Sequence, residues 1–246
     1  MTLAAESANQ MLEMVEFGHM NGQNAIGQGI TSIPYGSNGN CSFITGSTAS
    51  LGNGTGAAAY TNVNVNGTIQ SLSEDGYRAI SYRGMENPWG NLWSMIGDIN
   101  VSGNGTSQGG KLYICTDFNY TPGEVGNNYE YIGFNLPVTY GWVSAVGLGD
   151  EKYDWVYIPV ECSTSANSLL PIGDSLWTAG TLNGDMIISI GGSYGHKEAC
   201  GPFYYAADRT VDESARSNYG AKLLYIPTKN SIYTANINKW NTYMGG

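Results

Sequence analysis

The densest run of side chains able to make directional contacts lies in residues 191 to 224, GGSYGHKEACGPFYYAADRTVDESARSNYGAKLL. Tyr194, Tyr204, Tyr205 and Tyr219 offer large contact areas with a polar tip, while His196, Asp208, Arg209 and Asn218 supply fixed hydrogen-bonding groups. That mixture has the composition of a paratope, and these eight residues are the candidate ligand-binding set. Each also has a plain reading: a tyrosine packs beneath the segment, and Asp208 with Arg209 forms solvated charges. Phe203 reads as core. Asp212, Glu213 and Arg216 read as a solvated charged loop and rank below the tyrosines, because exposed ion pairs contribute little energy.

Catalytic constellations are scarce. His19 and His196 are the only imidazoles, and there is no G-x-S-x-G elbow, H-E-x-x-H pair or phosphate loop. A glycosidase needs only two carboxylates at the right separation, so glycan cleavage stays open as a minor alternative. Cys41, Cys115, Cys162 and Cys200 lie far apart with no C-x-x-C pair, which argues against a zinc knuckle or redox dithiol and leaves disulfides unassigned. No D-x-D-x-D-G loop is present to hold calcium. The expectation is a non-enzymatic chain with no cofactor and no metal.

The 246 residues carry a formal net charge of -10, which disfavours a nucleic-acid partner because phosphate binding depends on Lys and Arg displacing counterions. Charged residues are 12% of the chain, about half the usual share, so the surface must be built from Asn, Ser, Thr, Gly and Tyr. No stretch approaches the roughly 20 apolar residues of a membrane span, and no signal-peptide pattern opens the chain, so direct membrane insertion is not expected.

These groups need a scaffold. One helix is expected from Ser7 to Gln23, laying Met11, Leu12, Met14, Val15 and Met20 onto a sheet, with His19 at its surface or cap. Residues 33 to 66 are rich in Gly, Asn, Ser and Thr; Val63 and Val65 alternate with Asn before an Asn-Gly turn signal and predict a hairpin. Short strands are expected at 77–82, 111–116, 155–159, 186–190 and 221–226. They are not interleaved with several amphipathic helices, so a mixed α+β fold with few helices, short strands and long loops is favoured over a doubly wound sheet. Trp89 and Trp93, beside Leu92, Met95 and Ile96, read as core anchors; a sugar-stacking platform is their weaker alternative.

The helix segment MLEMVEFGHMNGQNAIG, the segment WGNLW and the terminal pattern GGSY…NYGAKLL together resemble the C-type-lectin-like (sulfatase-modifying-factor-like) fold of the formylglycine-generating-enzyme superfamily. Within it, the chain is most similar to phage tail proteins and to the variable proteins of diversity-generating retroelements. Gly191, Gly192, Ser193, Cys200, Gly201, Phe203 and the run Gly220, Ala221, Lys222, Leu223 stand at the framework positions of that pattern; Tyr194 and Lys222 replace a frequent Trp and Arg. The resemblance implies one domain over residues 1–246, with an N-terminal helix and lead-in at 1–30 and a variable-region-like ligand-binding segment at 191–224.

It further implies receptor binding from a virion tail or fibre, or from a bacterial cell surface, toward a protein or glycan on a bacterial or host cell; homo-oligomerisation stays open. The alternatives are a virion assembly role on the same fold and a diverged copper oxidase or glycan-cleaving enzyme. The superfamily's oxidase branch uses two copper-binding cysteines just beyond the Gly-Gly-Ser-Tyr stretch; here only Cys200 is present and His196 stands nearest the first position, which undermines Cu(I) chemistry. In an adenine-directed diversification scheme Tyr194, His196 and Tyr205 are codon-compatible with an Asn-type template, whereas Lys197 and Glu198 are not.

Overall fold

The computed structural model describes residues 1–34, 45–65, 67–105, 109–117, 119–178, 182–210 and 216–222. Its first element, α1, runs Leu3–Phe17. The Thr2 hydroxyl accepts the Ala5 N–H at 3.4 Å and starts the helix; Gly18, at φ 71°, ends it in the left-handed conformation that glycine adopts without cost. A short second helix, α2, follows at Gly22–Ile26, with the Asn21 side chain capping the Asn24 N–H at 2.9 Å. The single helix expected over 7–23 is therefore two, and His19 sits exposed in the bend between them.

The packing face of α1 also differs from expectation. Its buried residues are Leu3, Glu6, Ser7, Gln10 and Glu13, at the three- and four-residue spacing of one helical face, while Leu12 is exposed and Val15 is 85% exposed. Met14 and Met20 do reach the core as partly buried side chains. The physical reason lies at the chain start. The Met1 ammonium donates to the Lys222 carbonyl at 3.1 Å, the Leu3 N–H to Asp98 Oδ1 at 2.7 Å, and the Gly97 N–H to the Met1 carbonyl at 3.3 Å. These bonds fix the helix rotation, and the Gln10 amide completes it by donating to the Pro202 carbonyl at 2.7 Å and to the Tyr205 hydroxyl at 3.1 Å.

The structure is α+β and dominated by strand. Among the described residues nine strands form the main sheet: β1 (Trp93–Asn104), β2 (Lys111–Cys115), β3 (Tyr129–Asn135), β4 (Gly141–Leu148), β5 (Tyr157–Cys162), β6 (Ser175–Thr178), β7 (Asn183–Ile190), β8 (Tyr205–Arg209) and β9 (Tyr219–Gly220). Their spatial order is β5-β4-β6-β8-β7-β1-β2-β3, with β9 added to β1. All pairings are antiparallel except β6 with β8 and β9 with β1. The hairpin expected around Val63 is present: Thr61–Val65 pairs antiparallel with Thr68–Leu72. Of the strand expected at 221–226, residues 223–226 lie outside the described residues.

The main core gathers Ile96, Ile99 and Val101 of β1 with Leu112, Ile132, Val143, Ile158, Leu176, Ile188 and Tyr205. A second cluster joins Trp89 and Trp93 to Ile80, Tyr82, Cys200 and Tyr204. A third contains Ile30, Ile33, Val63, Ala79 and Tyr194. Trp89 and Trp93 are core residues, as their neighbours implied. Among the described residues no helix is long and apolar enough to cross a membrane.

Candidate functional site

The C-terminal segment leaves β7 at Ile190 and rejoins the sheet as β8 and then β9. Its base is pinched shut by the Gly191 N–H, which donates to the Tyr204 carbonyl at 2.8 Å. Gly192 holds φ 77°, and a Cβ there would lie 2.5 Å from the Cys200 sulfur and 2.8 Å from the Tyr204 ring. Only glycine fits. At Gly201 a Cβ would stand 2.0 Å from Asp174 Oδ1, while the other oxygen of that carboxyl accepts the Phe203 N–H at 2.6 Å. The Gly-Gly and Cys-Gly steps are thus close-approach positions that fold the segment back on the sheet.

That return encloses an open cavity of about 500 Å³. Trp93 forms its aromatic floor, with Tyr204 at 4.6 Å, His196 edge-on at 5.1 Å and Tyr219 stacked at 6.2 Å between ring centroids. Aromatic pairs of this geometry add about 0.5–1.5 kcal/mol beyond burial. The Trp93 N–H donates to the Asn218 carbonyl at 2.9 Å, tying the far end of the segment to the same residue. Asp208, Arg209, Arg216 and Asn218 line the walls, and Tyr140, Ser175 and Trp177 complete the rim from β4's approach and β6.

The wall charges are organised around the rings. Trp177 Nε1 donates to Asp208 Oδ2 at 3.2 Å; Arg209 Nε lies 3.9 Å from the other oxygen, and its guanidinium carbon sits 4.7 Å from the Tyr219 ring centroid. Trp177 pairs with Ala206 across β6 and β8, so the indole shares a face with Asp208 two residues along, and the small Ala206 leaves it room.

His196 is held neutral. Its Nδ1 accepts the Ser193 N–H at 3.0 Å, which places the ring proton on Nε2, and the Ser193 hydroxyl also lies 3.0 Å from Nδ1. Loss of solvation against the aromatic floor pushes the imidazole pKa down to about 4. Cys200 is fully buried, with its sulfur 3.5 Å from the Ser193 carbonyl, and burial drives its thiol pKa well up. A neutral thiol is a poor ligand for a metal. Among the described residues no group of three or more His, Cys, Asp or Glu converges to hold an ion.

Six of the eight residues expected from sequence line this cavity: His196, Tyr204, Asp208, Arg209, Asn218 and Tyr219. Tyr194 and Tyr205 do not. Tyr205 pairs in register with Leu176 and Ile190, faces the main core, and donates its hydroxyl to the Tyr157 carbonyl at 3.0 Å. Tyr194 packs in the third cluster; its backbone bonds Asn91 and Ile33 at 2.9 and 2.7 Å. Both are structural supports. The sequence pattern placed Trp93 in the core with sugar stacking as its weaker alternative, ranked Arg216 low, and gave no sign of Tyr140, Ser175 or Trp177. No protein-family model matches the chain, and no curated protein matches it.

Proposed function

We propose that this chain is a non-catalytic ligand-binding module whose recognition surface is the open cavity between Trp93, Trp177, Tyr204 and Tyr219. The carrying observation is the convergence of aromatic rings with Asp208, Arg209, Arg216 and Asn218 on one open concavity. Such a site combines contact area with few, fixed polar groups, the usual make-up of small-ligand and paratope-like surfaces. The framework supports the role, since the segment's base is locked at Gly192 and Gly201, which gives the side chains that it carries a fixed backbone.

A C-type-lectin-like fold of the retroelement variable-protein or phage-tail type is the architecture we assign to it. The support is an N-terminal helix followed by a mixed sheet, with a glycine-entered C-terminal segment returning to the strand that starts at Trp93. In that setting the module would be displayed on a virion tail or fibre, or on a bacterial surface, toward a protein or glycan of another cell.

The test is binding of the purified protein, and of an Arg216→Ala/Asn218→Ala variant of unchanged thermal stability, to an array of bacterial surfaces and glycans. Loss of a hit in the variant supports recognition at this cavity. A surviving hit moves the site elsewhere, and no hit on any surface favours an assembly role.

A further inference from the structure

Tyr140 and Trp177 are absent from the segment that supplies the rest of the cavity, yet they are its most exposed aromatic rings, at 60% and 45%. Large aromatic side chains left this open need an explanation when they adjoin a cavity. Their centroids are 5.0 Å apart with planes inclined at 49°, which makes an open aromatic corner. The corner is held in place. The Trp177 indole N–H is bound to Asp208, the Trp177 backbone pairs with Ala206 of β8, and the Ser175 hydroxyl donates to the Gly141 carbonyl at 2.9 Å beside Tyr140.

We infer that this corner is a saccharide-stacking subsite: the C–H face of a sugar ring packs on Trp177 and Tyr140, and its hydroxyls bond the polar groups on the neighbouring wall. The inference rests on the ligand-binding reading and names the ligand class. Three features favour a sugar over a protein surface. A pyranose presents an apolar face beside a rim of hydroxyls that each donate and accept. This site matches it with exposed ring faces beside a carboxylate at Asp208, an amide at Asn218 and a hydroxyl at Ser175. The site is a concavity of about 500 Å³, within the range of small-ligand sites, whereas protein hot spots are desolvated apolar pockets in a broad flat interface. The indole nitrogen is already satisfied by Asp208, so the ring offers a face and needs no backbone carbonyl from a partner.

The experiment uses the full chain against immobilised oligosaccharides built of hexose, N-acetylhexosamine, 6-deoxyhexose and uronic acid units, with free monosaccharides as competitors and tryptophan emission as a second readout. At least one saccharide is expected to bind and to perturb the emission. Trp177→Ala and Tyr140→Ala should each weaken it about tenfold, with Trp177→Phe retaining part of the affinity. Competition by a free monosaccharide assigns the subsite to a terminal unit; competition only by the oligosaccharide assigns it to a chain. Saccharide binding that both alanine variants leave unchanged overturns the subsite. If no saccharide binds but a protease-sensitive cell-surface receptor does, and Arg216→Ala/Asn218→Ala abolishes that binding, the sugar class fails while the binding module stands. No binding in either arm sinks both.

Discussion

The open cavity and the face that α1 buries are both rich in polar groups, but the protein treats them in opposite ways. At the cavity Asp208 sits between an indole N–H and a guanidinium, and His196 accepts from Ser193. Under α1, both carboxyl oxygens of Glu13, one of Glu6, one of Asp174, the Gln10 carbonyl and the Ser7 hydroxyl have no hydrogen-bond partner among the described residues. A buried ionised carboxylate without partners is too costly to sustain, so these acids are held neutral. Burial raises Glu6 to about 7 and Glu13 to about 8, with Glu6 and Glu16 adding repulsion at Glu13, and it raises Asp174 well above the carboxylate range. Lys222 and the N-terminal ammonium pull Glu6 back only in part. The contrast teaches that polarity alone does not mark a site: accessible, oriented groups can meet a ligand, and buried, orphaned ones tune stability.

The largest expected effect breaks the comparison on the α1 side. Carboxyls whose folded pKa lies above the unfolded value of 4.5 stabilise fully below about pH 4.5, and that contribution is lost as pH rises through 7 and 8. Each acid is worth on the order of 3–5 kcal/mol across that window, a large fraction of a typical 5–15 kcal/mol stability. The denaturant midpoint should therefore fall from pH 5 to pH 9, and Glu13→Gln should flatten the fall. A profile that is level over this range in the native chain would show that the face is hydrated and the acids ionise freely.

Next in size is Gly201→Ala, which strikes the hinge between the two regions. Its methyl would collide with Asp174 on one side and displace the turn that carries Phe203 and Tyr204 on the other. Overpacking of this kind costs about 1–3 kcal/mol and is read as a drop in melting temperature, accompanied by altered tryptophan emission from the cavity floor. An unchanged melting temperature would mean that Asp174 is free to move.

The rotation of α1 is checked by a smaller contrast. Gln10→Ala removes bonds to the Pro202 carbonyl and the Tyr205 hydroxyl and should cost about 1–2 kcal/mol, whereas Val15→Ser on the exposed face should stay within about 0.5 kcal/mol. The reverse order would turn the helix over. Sequence pattern alone points to that reverse order. The helix was legible from its apolar spacing but not its start at the Thr2 cap; Glu6, Ser7, Gln10 and Glu13 look like a solvent face, and only the long-range ties from Met1, Leu3 and Gln10 disclose that they are buried. β1 was hidden for a related reason: Asp98 and Asn100 interrupt its apolar pattern, and each is satisfied by a distant segment, Asn100 by the carbonyls of Thr121 and Glu124. At the cavity, residue types in 191–219 announced a polar-aromatic surface, but strand parity, set by the pairing of Tyr205 with Leu176 and Ile190, decides which tyrosine faces the core. Tyr140 and Trp177 reach the rim through sheet order β4-β6-β8, which no local pattern encodes.

The smallest effect sharpens the comparison from the cavity side, through the opposite sign of a second titration. His196 has its folded pKa lowered to about 4 by desolvation, below its unfolded value of 6.5. The stability it contributes is complete above pH 6.5 and is lost as pH falls toward 4, because the unfolded chain then takes up the proton first. Between pH 4.5 and 6.5 this loss opposes the gain from Glu6 and Glu13, so the native chain should show a muted slope there, its steepest fall between pH 6.5 and about 7, and a level profile above about pH 8. His196→Gln removes only the opposing member, and the slope between pH 4.5 and 6.5 should steepen while the alkaline limb stays unchanged. NMR of the imidazole provides the direct check: Nδ1 should remain an unprotonated acceptor down to about pH 4. An imidazole that titrates near 6.5 would mean that water reaches the cavity floor, and the Trp93, Tyr204 and Tyr219 stack would then be a solvated surface rather than a preformed platform.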